Sequence, residues 1–132
     1  MTTILIVEDD PMIRDVLSRL LVIEGHQVIT ANDGVQGVQR ARTNRPDLII
    51  MDMGLPLLNG WQATHRIRSM PATQRIPIIA LTAYAMKEDR TRCLSVGCDE
   101  YEPKPVDFPR LAAKMHSLLS SKVAPVVYAP PN

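Results

Sequence analysis

The stretch Leu48-Ile49-Ile50-Met51-Asp52 decides the fold. Four apolar residues run on without alternation, as a strand covered on both faces of a parallel sheet requires. The run then stops on a carboxylate. Ile4-Leu5-Ile6-Val7 repeats the pattern and stops on Glu8-Asp9-Asp10, and Ile78-Ile79-Ala80-Leu81 stops on Thr82. Gln27-Val28-Ile29-Thr30-Ala31 and the weaker Glu100-Tyr101 complete a set of five runs.

Helix-like segments fill the intervals. Ile13, Leu17, Leu20 and Leu21 fall at i, i+4, i+7 and i+8, one stripe of a first helix. Pro11 suits its first turn, where no donor N–H is needed, and Gly25 suits its C-terminal end. Asp33 is an N-cap candidate for a second helix, ending near Asn44 before Pro46. Gly60, Ala63, Ile67 and Met70 mark a third, stopped by Pro71. A fourth, near Met86 to Val96, carries Lys87, Glu88, Asp89, Arg90 and Arg92 and ends at Gly97. Leu111, Met115, Leu118 and Leu119 stripe the fifth. This alternation predicts an α/β fold, a doubly wound (βα)5 with a five-stranded parallel sheet and helices on both faces.

The 132 residues suit one domain, expected over 1–121. Residues 122–132 are rich in proline and lack periodicity, so an extended or disordered tail is expected there. A net charge of +1 without a long basic run gives no reason to expect nucleic-acid binding. Cys93 and Cys98 match neither metal spacing nor a disulfide framework and are read as small core residues of a reduced compartment. No stretch has the roughly twenty apolar residues that span a membrane, and the first run is too short for a signal peptide. The expected location is the cytoplasm.

In a parallel sheet every strand ends at the same edge, and ligands bind there, beside the point where strand order reverses. Strand one delivers Glu8 and Asp9 to that edge, strand three Asp52, strand four Thr82, and Lys104 follows strand five. Strand two ends in Ala31-Asn32-Asp33 and delivers nothing comparable. Three converging carboxylates repel one another unless a hard cation joins them, and an incomplete all-oxygen site suits Mg²⁺. Lys104 is a counter-charge for Asp52 or for an incoming phosphate. Thr82 has a hydroxyl to donate to a phosphoryl oxygen. A carboxylate is also a nucleophile able to form an aspartyl phosphate. Alone, each residue has an ordinary explanation: a turn acid for Asp52, a strand-end hydroxyl for Thr82, packing or rim surface for Trp61, caps for Asp33 and Asp107. His26, His65 and His116 share no metal spacing.

Together these residues resemble the receiver domain of two-component response regulators, over about Ile4 to Leu119. The likeness rests on Val7-Glu8-Asp9-Asp10, Met51-Asp52-Met53-Gly54-Leu55-Pro56, Asn59-Gly60, Leu81-Thr82-Ala83 and Gly97-Cys98-Asp99-Glu100-Tyr101-Glu102-Pro103-Lys104-Pro105. It implies a flavodoxin-like strand order 2-1-3-4-5. It implies that Asp52 accepts a phosphoryl group from a sensor histidine kinase or a histidine phosphotransfer protein, assisted by Lys104 and Thr82. Mg²⁺ would be held by Asp9, Asp52 and the Gly54 carbonyl, with Glu8 acting through a water. Thr82 and Tyr101 would be the switch pair, and Lys104-Pro105 is often cis in the family. The surface of helix four, strand five and helix five would meet an unnamed downstream protein or a second copy, with Lys87, Arg90 and Arg92 as candidates. Such a domain is a signalling phosphoacceptor, as in chemotaxis, phosphorelays or cell-cycle control, assisting its own phosphotransfer and dephosphorylation.

Many relatives begin the acidic pair with aspartate, where this chain has Glu8. Gly54 and Tyr84 flank the route of water to the phosphoryl group, the glycine leaving one side open and the tyrosine expected to cover the other. A haloacid dehalogenase-like phosphatase would want an aspartate where Gly54 stands. A flavodoxin-like electron carrier would want a phosphate loop after strand one. A pseudo-receiver acting only as an interaction module would have no need of the acids, threonine and lysine together.

Overall fold

Strand and helix alternate along the whole described chain: β1 (Thr3–Val7), α1 (Pro11–Ile23), β2 (Gln27–Ala31), α2 (Gly34–Asn44), β3 (Leu48–Asp52), α3 (Gly60–Ser69), β4 (Ile78–Thr82), α4 (Lys87–Ser95), β5 (Glu100–Pro103) and α5 (Phe108–Tyr128). This computed structural model describes residues 2–83 and 87–128, with backbone alone over 87–89 and 121–128. The strands form one parallel sheet in the order β2-β1-β3-β4-β5, as the alternation and the resemblance predicted.

The three unbroken apolar runs are the three inner strands. All five residues of β3 and of β4 are buried, and four of five in β1. Side chains alternate between the two faces of a strand, so each run feeds two cores. Ile4, Ile6, Leu48, Ile50, Ile79 and Leu81 pack with Leu17 and Leu21 of α1 and Leu111 and Met115 of α5. Leu5, Val7, Ile49, Met51, Ile78 and Ala80 pack with Ala41 of α2, Ala63 and Ile67 of α3, and Cys93. Cys93 and Cys98 are both buried, and no disulfide joins them.

Helix ends follow the sequence signals. Asp10 caps α1, accepting from the N–H groups of Met12 and Ile13, with Pro11 in the first turn. Asp33 caps α2 through Gln36 N, and Asn59 forms a reciprocal capping box with Gln62 on α3. Asp107 accepts from Arg110 N at the start of α5.

Residues 122–128, expected to be extended or disordered, carry helical backbone, because α5 reaches Tyr128. Nothing from Ser120 to Ala124 breaks a helix already docked by Leu111 and Met115, and Pro125 costs it one N–H donor. Residues 129–132 lie outside the described residues, as does Tyr84.

Candidate functional site

The register decides which side chains meet. Val7 lies opposite Met51, and Asp52 opposite Leu81, so Glu8, Asp52 and Thr82 leave the sheet within one rung of each other. Thr82 lies opposite Pro103, which brings Lys104 to the same edge, and the Lys104–Pro105 peptide is cis. The order reverses between β1 and β3, where Glu8, Asp9 and Asp52 emerge. They line a cleft of about 500 Å³ together with Thr82 and Lys104.

The floor of the cleft is acidic and buried. Glu8 is fully buried, and Asp52 and Thr82 nearly so, while Asp9 is exposed. One carboxylate oxygen from each of Glu8, Asp9 and Asp52 falls within 4.8 Å of the others. Lys104 Nζ stands 3.2 Å from Asp52 Oδ1 and 3.3 Å from Glu8 Oε1. Gly54 N donates to Asp52 Oδ1 at 3.0 Å, and Asp10 N donates to Glu8 Oε2 at 3.0 Å. Among the described residues Glu8 Oε1 has no well-aligned hydrogen-bond donor, and the Lys104 ammonium stands 3.3 Å from it.

Burial, reinforced by the Asp52 charge, pushes the Glu8 carboxyl up to about 7, although the Asp10 N–H and Lys104 oppose it. Burial works against the Lys104 charge, yet Asp52 and Glu8 outweigh it and raise its pKa, keeping the ammonium protonated. Around Asp52, three acids stand against Lys104, which leaves that part of the cleft short of positive charge. A hard divalent cation meets that deficit with an all-oxygen donor set, and the orphaned buried Glu8 Oε1 fits the same need.

The loop after β3 is built for close approach. A Cβ on Gly60 would lie 2.3 Å from the Asp52 carbonyl oxygen and 2.6 Å from Met53 Cα, so α3 starts against the end of β3 only with glycine there. A Cβ on Gly54 would meet only Asp52 Oδ1, at 3.8 Å, so the space beside the carboxylate is open.

Tyr101 is half-buried on β5, with the Lys114 ammonium 5.2 Å and the Arg90 guanidinium 5.8 Å from its ring centroid. Beside it Glu102 is fully buried and takes hydrogen bonds from Arg110, Lys114 and Asp107 N. Burial alone would raise the Glu102 carboxyl, but these donors overcome it and hold the group below its ordinary value. Neither the Glu102 cluster nor the Arg92 guanidinium 4.1 Å from the Trp61 ring was evident in the sequence. Both depend on contacts between elements distant along the chain. Trp61, read as packing or rim surface, lines the cleft.

A doubly wound sheet with three acids, a threonine and a lysine on its switch-point edge is the arrangement expected of a receiver-type signalling domain. The chain belongs to the response regulator receiver domain family, whose model matches residues 4–116. It is a receiver domain of the kind used in phosphorylation-dependent two-component signalling. It is 35% identical, over 89% of its length and 95% of the relative's, to the polar-differentiation response regulator DivK of Brucella anthropi. A solved structure 39% identical to it is the receiver domain of a sensor histidine kinase from Pseudomonas aeruginosa, with a magnesium ion coordinated in the active site cleft. That likeness has a TM-score of 0.84 and covers 90% of this chain and 98% of the other. A CheY-like receiver domain protein from Methanospirillum hungatei matches at 27% identity with a TM-score of 0.87, over 94% and 98% of the two chains. Among the described residues no helix is long and apolar enough to cross a membrane.

Proposed function

We propose that Asp52 is the phosphoryl acceptor of this receiver domain and that a phosphohistidine, on a sensor histidine kinase or a histidine phosphotransfer protein, is the donor. The observation that carries this reading is the Lys104 ammonium lying between Asp52 and Glu8 at the floor of the cleft. Four charged residues at three strand ends, two of them the buried Glu8 and Asp52, have no structural reason to converge on one cleft. In the transfer the histidine N–P bond breaks and the imidazole leaves with its electron pair. An Asp52 carboxylate oxygen forms the new P–O bond.

Lys104 is positioned to move from its two carboxylate partners toward a phosphoryl oxygen, and the Thr82 hydroxyl to donate to another. Asp9, Asp52 and the Gly54 carbonyl would hold Mg²⁺, with Glu8 acting through a water. The ion would supply neutralising charge for the phosphoryl oxygens. Gly54 leaves the carboxylate open on one side, so water is able to reach the acyl phosphate and the domain assists its own dephosphorylation. Tyr84 is proposed to limit that access from the other side.

The readout proposed is a change at the surface of α4, β5 and α5, with Thr82 and Tyr101 as the switch pair. Its reader is a protein, or a second copy of the chain, rather than nucleic acid or membrane. The receiver unit is taken as residues 1–121 and its place of action as the cytoplasm. Incubation with Mg²⁺ and a phosphorylated histidine phosphotransfer protein tests the donor. Transfer to wild type but not to Asp52→Asn supports it, and transfer to both overturns it.

A further inference from the structure

Arg92 projects from α4 with its guanidinium carbon 4.1 Å from the centroid of the Trp61 ring on α3. Both side chains line the cleft that holds Asp52, Thr82 and Lys104. We propose that Arg92, carried on the indole face of Trp61, binds an oxyanion of the incoming phosphodonor at the mouth of the cleft. The inference rests on the reading of Asp52 as the acceptor and adds a residue to it.

The argument starts from charge. Glu8, Asp9, Asp10 and Asp52 all line the cleft, against Lys104 and Arg92. A phosphodonor is itself anionic, so an acidic mouth repels it, and a cation there offsets that barrier and steers its approach. Lys104 is already committed, 3.2 Å from Asp52 and 3.3 Å from Glu8. Arg92 is placed differently. It is exposed, and no carboxylate among the described side chains pairs with it.

Geometry supplies the second argument. A guanidinium laid on an aromatic face satisfies its own face and keeps its N–H edges free. Those edges form a planar fork that matches two phosphate oxygens, which a lysine ammonium cannot do. Stacking also restricts the side chain before the anion arrives, so less freedom is lost on binding. Arg90, two residues earlier, leans on Tyr101 and does not line the cleft, so the arrangement is particular to Arg92.

The test uses the full chain with Mg²⁺ and acetyl phosphate as donor. The acetyl oxygen–phosphorus bond breaks, acetate leaves with the electron pair, and Asp52 gains the phosphoryl group. Intact mass follows the product, and emission of Trp61, the one tryptophan, follows Mg²⁺ binding. Arg92→Gln is expected to slow phosphorylation about five- to tenfold and to flatten its dependence on salt. Its Mg²⁺ affinity stays equal or tightens, since a nearby cation has gone. Arg92→Lys recovers part of the rate through charge alone.

Arg92→Gln with the wild-type rate and salt slope overturns the proposal while leaving Asp52 as acceptor. So does a rate loss matched by an equal loss of Mg²⁺ affinity, which would make Arg92 a structural latch between α3 and α4. Failure of wild type to take any phosphoryl group at Asp52 overturns both readings.

Discussion

Lys104 Nζ lies 3.2 Å from Asp52 Oδ1, an ion pair between the end of β5 and the end of β3, and the same ammonium reaches Glu8 at 3.3 Å. One cation holds two buried acids together. Among the described residues Lys104 is the one cation paired with those acids, and Lys104→Met should cost about 3 kcal/mol. Added Mg²⁺ should restore part of that loss, since it replaces the missing charge. Thermal unfolding of the variant with and without Mg²⁺ checks this, and equal melting temperatures would contradict it.

Mg²⁺ should stabilise the wild-type domain by mass action, by about 2.7 kcal/mol at a hundredfold excess over its dissociation constant. Asp9 is exposed, so Asp9→Asn should leave the metal-free melting temperature unchanged or raise it by easing repulsion. The same variant should lose most of the Mg²⁺-dependent gain. A gain equal to wild type would remove Asp9 from the proposed site.

Gly60 and Gly54 should respond in opposite ways to alanine. The Gly60→Ala methyl would land 2.3 Å from the Asp52 carbonyl oxygen, forcing β3 and α3 apart, at a cost of about 1–3 kcal/mol or more. Phosphorylation should fall with it, because Asp52 shifts. Gly54→Ala meets only Asp52 Oδ1 at 3.8 Å and should keep the wild-type melting temperature while changing acyl phosphate lifetime. Melting curves and dephosphorylation rates on both variants separate the two effects.

Glu102 predicts part of the acid stability. Its folded carboxyl titrates below the ordinary value of 4.5 because Arg110, Lys114 and Asp107 N outweigh its burial. A depressed carboxylate contributes stability above its unfolded value and loses it as pH falls through the lower, folded one. Glu102→Gln should therefore flatten the stability–pH profile below about pH 4.5 as well as lower stability at neutral pH. Urea titrations at several pH values read the slope, and an unchanged slope would remove Glu102 from the account.

Much of this was legible in the sequence because it depends on local signals. Unbroken apolar runs announced β1, β3 and β4, and the polar residue after each run announced the edge where chemistry gathers. Asp33, Pro11, Gly25 and Pro71 marked helix ends by backbone chemistry that acts over a few residues. The helical backbone of α5 as far as Tyr128 was not legible, because the prolines from Pro125 onward argue locally against a helix. Arg92 on Trp61 and Arg110 on Glu102 were invisible because each joins two elements whose relative placement no local pattern encodes. Arg68 is similar, tying α3 to Gly97, Ile76 and Asp99 through one guanidinium.

The most direct measurement is the intact mass of the protein after incubation with Mg²⁺ and acetyl phosphate. Wild type should gain a single phosphoryl group, lost on addition of hydroxylamine as an acyl phosphate is, and Asp52→Asn should gain none. A phosphoryl group retained by Asp52→Asn at the wild-type level would contradict the assignment of Asp52 as the acceptor.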